Sequence, residues 1–226
     1  MPETITYISN GTPIHAELFT PPGKPRGAGV VIAHGSDGVT DNLNGPWAEM
    51  MRDYGAALSD AGFTVLLPHY FEKTGTAPGP PAMLAMWMHL QAWQQALGDA
   101  VAHLETLSAV APGRIALLGF SLGGHLSLRL RDRVPVLVEF FAPYLTGLGT
   151  APSTAPHIQI HHGAADRLVD FANAEQISEV LRNEGVRTDP YRYEGAGHGF
   201  KGSDPKNAEA RRLSKERTLE FVAAHL

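Results

Sequence analysis

The feature that most limits the fold is a series of short apolar runs separated by longer stretches of helical periodicity. Gly29-Val30-Val31-Ile32-Ala33, Phe63-Thr64-Val65-Leu66-Leu67, Ile115-Ala116-Leu117-Leu118, Val136-Leu137-Val138 and Ile158-Gln159-Ile160 are apolar almost without interruption. A strand with one wet face alternates apolar and polar residues. A continuous run has no wet face and suits a parallel strand covered on both sides. Between the runs, Trp47, Met50, Met51, Tyr54, Leu58 and Ala61 recur at helix spacing, with Pro46 at the start and Gly62 at the stop. Met83, Met86, Trp87, Leu90, Trp93, Leu97, Val101, Leu104 and Leu107 continue that periodicity, and Gly98 predicts a break within it. Asp204-Pro205 predicts a cap and a first-turn proline opening a charged final helix. Residues 4–8 and 14–19 flank Ser9-Asn10-Gly11, where Asn-Gly supplies the backbone angles of a tight turn between antiparallel strands. Residues 188–193 make a weaker last strand. The alternation of strand and helix implies an α/β fold with helices on both faces of a mostly parallel sheet of about eight strands, the first pair antiparallel.

There is no internal repeat, and the Pro/Gly-rich stretch 75–81 is too short for a domain linker, so residues 1–226 are expected to form one domain. The formal net charge of −5 lacks the basic excess that nucleic acid or an anionic membrane would require. With no cysteine, disulfides, thiolate metal sites and a cysteine nucleophile are excluded together. Met1-Pro2-Glu3-Thr4 shows no secretory signal. No run approaches the roughly 20 apolar residues of a membrane span. The expectation is a cytoplasmic protein, monomer or weak homodimer, with no membrane or nucleic-acid partner.

The chemistry concentrates in Gly119-Phe120-Ser121-Leu122-Gly123-Gly124, which follows the apolar run 115–118 and precedes a helical stretch. A serine on a sharp strand-to-helix turn is held above the sheet in strained backbone angles, and the residues two before and two after crowd each other, which suits glycine. The serine needs a base. His198, in Gly195-Ala196-Gly197-His198-Gly199-Phe200 after the last strand, is the candidate, and Asp166, just past the strand 158–160, is the candidate orienting acid. The chain order of nucleophile, acid and base is that of the α/β-hydrolases. Asp170 and Glu139 are rival acids; Asp170 reads better as a helix cap, and Glu139 as a residue lining the pocket. The backbone N–H groups of Leu122 and Ser36 are the candidate oxyanion donors. His34, beside Ser36, could be a base or a residue shaping its turn. Phe71, Phe141 and Phe200 sit near strand ends, either lining an apolar pocket or filling the core. His161 and His162 are neighbours on a strand and point to opposite faces, so they do not suggest a shared metal ion, and no metal or cofactor is expected.

These motifs, with Ala61-Gly62-Phe63-Thr64-Val65-Leu66-Leu67-Pro68, Gly98-Asp99-Ala100 and Glu216-Arg217-Thr218-Leu219-Glu220-Phe221, resemble the dienelactone hydrolase family, a small branch of the α/β-hydrolases. The resemblance runs over nearly the whole chain and implies the α/β-hydrolase fold without a large lid. It implies hydrolysis of a small ester or lactone through an acyl-enzyme on Ser121. The sequence departs from the best-known members: Ser121 replaces their cysteine nucleophile, Gly35 stands where they carry a glutamate, and Lys73 and Lys201 stand near the places of their substrate-holding arginines. A lysine lacks the planar two-point grip of arginine on a carboxylate. The alternative to an esterase is a catalytically silent scaffold of the same fold that binds a ligand or partner.

Overall fold

A computed structural model describes residues 2–186, 188 and 190–226. Its strands are β1 (Glu3–Ser9), β2 (Thr12–Phe19), β3 (Gly29–Ala33), β4 (Thr64–Pro68), β5 (Ile115–Phe120), β6 (Val136–Phe140), β7 (His157–Gly163) and β8 (Tyr191–Tyr193). They form one sheet in the order β1-β2-β4-β3-β5-β6-β7-β8. From β4 to β8 every neighbouring pair is parallel, whereas β2 pairs antiparallel with both β1 and β4, so β2 alone runs against the rest. Asn10 and Gly11 close the first hairpin with positive φ of 42° and 83°, as their sequence demands. Of the last strand expected at 188–193, Asp189 lies outside the described residues, as does Met1 of the N-terminal reading; the strand itself is the short β8.

Every residue of β3, β4, β5 and β6 is buried, in agreement with their continuous apolarity. The alternation of side chains then feeds two cores. On one face Val31, Leu117, Leu137 and Ile160 meet α2 (Pro80–Glu105), α3 (Leu122–Leu128) and α4 (Ala172–Asn183) through Trp93, Leu97, Leu126 and Ile177. On the other, Val30, Ile32, Leu118 and Val138 meet α1 (Trp47–Asp60) and α5 (Pro205–His225) through Met51, Tyr54, Leu58 and Val222. The buried positions of α5 are Ala210, Ser214, Thr218 and Val222, one per turn and all small, which lets this otherwise charged helix lie close to the sheet.

The break predicted at Gly98 is absent: α2 runs through it to Glu105. A glycine inside a helix costs only about 1 kcal/mol relative to alanine, and the tertiary contacts of Trp93, Leu97, Val101 and Leu104 outweigh it. Asp204 caps α5 as predicted, its carboxylate accepting the Lys206 N–H at 2.8 Å.

One buried charge ties the turn after α3 to the end of α4. Arg131, 1% exposed, donates from Nη2 and Nε to Glu184 at 2.6 and 2.9 Å and also to the carbonyls of Leu128 and Leu148. Removing the guanidinium strands these acceptors, so Arg131→Ala is expected to destabilise the fold by about 3 kcal/mol. Urea unfolding should report it as a lower midpoint with an unchanged slope.

Candidate active site

The sheet order puts the carboxyl ends of β3, β5, β7 and β8 along one edge, and the chemically interesting residues emerge there. Ser121 sits between β5 and α3 at φ 53° and ψ −116°, a conformation that is unfavourable for any residue with a side chain. The surrounding glycines show what holds it there. A Cβ on Gly119 would come within 2.5 Å of the Gly123 carbonyl oxygen, and one on Gly123 within 2.2 Å of the Ala33 oxygen. The turn is pinned by Ser121 N–H donating to the Phe140 carbonyl at 2.9 Å. Leu122 opens α3, so its N–H belongs to the helix-start donors without an intrahelical acceptor.

Asp166 follows β7 and is buried. Its Oδ1 accepts the N–H groups of Leu168 and Val169 at 2.9 and 2.8 Å, and its Oδ2 accepts Nδ1–H of His198 at 2.7 Å. Burial works to raise its proton affinity, but the nearby His162 imidazole and the hydrogen bond from His198 prevail and hold it well below the usual carboxylate range. The carboxylate is therefore ionised and can only accept, so the His198 nitrogen facing it, Nδ1, carries a proton. The His198 ring is packed edge-on by Phe141 at 4.7 Å and Trp47 at 6.2 Å.

Ser121 and His198 line one cavity of about 570 Å³, together with Gly35, Ser36, Arg167 and Lys201. The backbone of Gly35 faces the serine: a Cβ there would lie 3.3 Å from Ser121 Cβ and 4.0 Å from its Oγ. Lys201 reaches the cavity with its ammonium 4.2 Å from the centre of the Trp47 ring and donating to the Asn44 carbonyl. Burial lowers its proton affinity, with Asp37 and Asp166 opposing.

Other candidates lie elsewhere. Lys73 is turned to the N-terminal hairpin, donating to the Ser9 carbonyl at 2.7 Å and to Thr12 Oγ1 at 3.2 Å, and is not among the residues lining the cavity. Phe71 is buried against His34 and Trp93, and Phe200 against Phe141 and Tyr193; neither lines the cavity of Ser121. Glu139 is fully buried beneath the elbow, its Oε1 accepting the Ala142 N–H and its Oε2 without a partner among the described residues. His34 is also buried: it stacks on Tyr70 at 3.9 Å with Nδ1 on the Gly35 carbonyl at 2.8 Å, and burial lowers its pKa to about 3. It shapes the turn as a neutral ring. Asp170 caps the start of α4 through the Ala172 N–H at 2.8 Å. His161 bonds Tyr193 and Gln159, while His162 on the opposite face meets Val169 and Asp166.

Three supports had no sequence signal. Trp47 donates to Asp37 at 2.8 Å and fills the space over Gly199, where a Cβ would come within 2.3 Å of its ring. Asn207 accepts the Gly197 N–H at 2.9 Å, and Arg211 donates to the Phe200 carbonyl and, at 3.0 Å, to that of Gly202. Both belong to the first turns of α5 and brace the loop that carries His198.

The sequence profile of the dienelactone hydrolase family matches residues 14–226. A protein of Synechocystis sp. described as "Putative carboxymethylenebutenolidase" is 30% identical over 112 residues, which cover 44% of this chain and 45% of that protein. The match thus spans less than half of that relative's length. Among solved structures, a dienelactone hydrolase-like promiscuous phosphotriesterase from metagenomic libraries superposes with a TM-score of 0.76 at 18% identity, covering 98% of both chains. A thermophilic esterase of the planctomycete Thermogutta terrifontis gives 0.70 at 17% identity, covering 97% of this chain and 92% of that one. These structural likenesses establish a shared fold.

Glu139 gives the site a pH signature. Burial pushes its carboxyl up to about 7, against the pull of His162 and of the Ala142 N–H, from an ordinary value of 4.5. Between those values the folded chain binds more protons than the unfolded one, so this group's contribution to stability is full below about 4.5 and is lost as pH rises through about 7. Glu139→Gln cannot titrate. Urea unfolding of both proteins at pH 5 and pH 8 should show the variant gaining about 2–3 kcal/mol relative to the native chain across that interval.

Proposed function

The chain belongs to the dienelactone hydrolase family, and from that premise we propose that it hydrolyses small carboxylic esters or lactones through an acyl-enzyme on Ser121. The observation that carries this reading is the pairing of a serine strained into a turn with a histidine that shares its cavity and is oriented by an ionised, buried aspartate.

In the proposed cycle, His198 Nε2 takes the Ser121 proton as Oγ attacks the substrate carbonyl. The negative charge that develops on the carbonyl oxygen is met by the N–H groups of Leu122 and Ser36, each worth roughly 3 kcal/mol of barrier. His198 then protonates the leaving alcohol, and water repeats the sequence on the acyl-enzyme to release the acid. Asp166 keeps the imidazole in the right tautomer and stabilises its charged form. With Lys73 committed to the hairpin, Lys201 and Arg167 are the cations left at the cavity for an acidic substrate group. A short ester series, with a dienelactone in parallel, tries a neutral and an acidic substrate side by side.

Ser121→Ala should keep its circular dichroism spectrum and lose turnover of short p-nitrophenyl esters by about a thousandfold or more. Full activity in the variant would sink the assignment. An organophosphonate probe should label the native chain at Ser121; a silent binding scaffold would stay unlabelled.

A further inference from the structure

Asp166 is held by two imidazoles, and the reaction uses only one of them. His162, the sixth residue of β7, is completely buried, and its Nε2 lies 2.8 Å from the Val169 carbonyl and 3.5 Å from Asp166 Oδ2. Both neighbours are acceptors, so Nε2 must carry a proton. The loop from Gly163 to Val169 is thereby wrapped around the ring, and Phe171 closes its edge at 5.6 Å. Nδ1 has no hydrogen-bond partner among the described residues. On the same face of the sheet, one strand away, stands Glu139, fully buried with a free Oε2.

We propose that His162 is a positioning residue: its protonated Nε2, 3.5 Å from the same Asp166 oxygen that accepts His198, steadies that carboxylate and sets the pH range over which His198 can serve as base. The inference rests on the esterase reading above. The physical argument is one of competition. A carboxylate that already accepts Leu168 and Val169 and has the protonated Nε2 of His162 3.5 Å from Oδ2 is a weaker partner for the imidazolium of His198 than one without that neighbour. Taking the His162 donor away makes Asp166 more basic and lets His198 hold its proton to higher pH, whether His162 is neutral or charged. Burial alone would depress the proton affinity of His162, but the Asp166 carboxylate beside it and the charge of Glu139 outweigh it and raise it above that of an ordinary histidine. Any positive charge there acts in the same direction as the donor. The titratable groups facing His162 are Asp166 from its own loop and Glu139 from β6. Those sharing the cavity with His198 are Asp37, Arg167 and Lys201, and they are the same in every variant below.

The test is the pH profile of kcat/KM for a short p-nitrophenyl ester in the native chain, His162→Phe, His162→Gln and Ser121→Ala. Phenylalanine keeps the ring's bulk and removes the donor. The acid limb should move up by about one pH unit, and kcat should fall about tenfold with KM unchanged. The glutamine amide reaches as far as Nε2 and still donates but carries no charge, so its acid limb should lie between the native one and that of the phenylalanine variant. Should the phenylalanine variant fail to fold, His162→Asn, whose amide is too short to reach Asp166, takes its place and should show the same upward shift. An acid limb that coincides with the native one when the donor is gone overturns the proposal, even if activity has dropped. So does a glutamine variant shifted as far as the variant without a donor. If Ser121→Ala retains activity, the esterase reading itself has failed, whatever the His162 variants do.

Discussion

The carbonyl oxygens of Ala33 and His34 lie where a side chain on Gly123 would begin, 2.2 and 2.4 Å from its ideal Cβ position. That close approach of the first turn of α3 to the end of β3 is the contact on which the site depends. It forces Ser121 into the left-handed region, because a relaxed turn would lift α3 off the sheet. It also brings the loop after β3, with Gly35 and Ser36, alongside the serine. The strain is tolerable because β5 is the centre of the sheet, paired along its length with β3 and β6 and covered on both faces.

From this fixed point the rest is arranged by chain topology. Parallel crossovers deliver the loops after β7 and β8 to the same edge, so that Asp166 and His198 arrive from distant parts of the chain within 2.7 Å of each other. Asp166 is immobilised by its own loop through Oδ1, and the loop of His198 is immobilised by α5 through Asn207 and Arg211. Neither relies on the cavity, which can accordingly stay open to substrate.

Much of this was legible in the residues alone, and what was legible has a common cause. The hairpin, the elbow, the two caps at Asp170 and Asp204 and the paired loops of Asp166 and His198 are each specified within a few residues, by glycines, asparagine or a carboxylate at fixed offsets. Which strand of that hairpin joins the sheet, β2 through its pairing to β4, depends on contacts far apart in the chain and left no local mark. The same holds for side-chain direction. Lys73, Phe71 and Phe200 lie near strand ends, as the cavity residues do, but adjacency to an edge does not say which way a side chain turns. Lys73 turned to the open carbonyl of Ser9 and the two phenylalanines to the core. Glu139 was visible as an anomaly in an apolar strand, though only the register with β7 reveals that it sits on the face of His162. His162 itself was read as half of a histidine pair; its attachment to Asp166 follows from a turn that brings the chain back over its own strand.

The bracing of the His198 loop by α5 leaves the site unequally rooted. The Ser121 turn is tied to the carbonyls at the end of β3 and to Phe140, and Asp166 to its own loop. The loop that bears His198 is tied instead to Asn207 and Arg211 of a helix that packs on one face of the sheet. A loosening of α5 would therefore part His198 from Asp166 while the Ser121 turn kept its own ties.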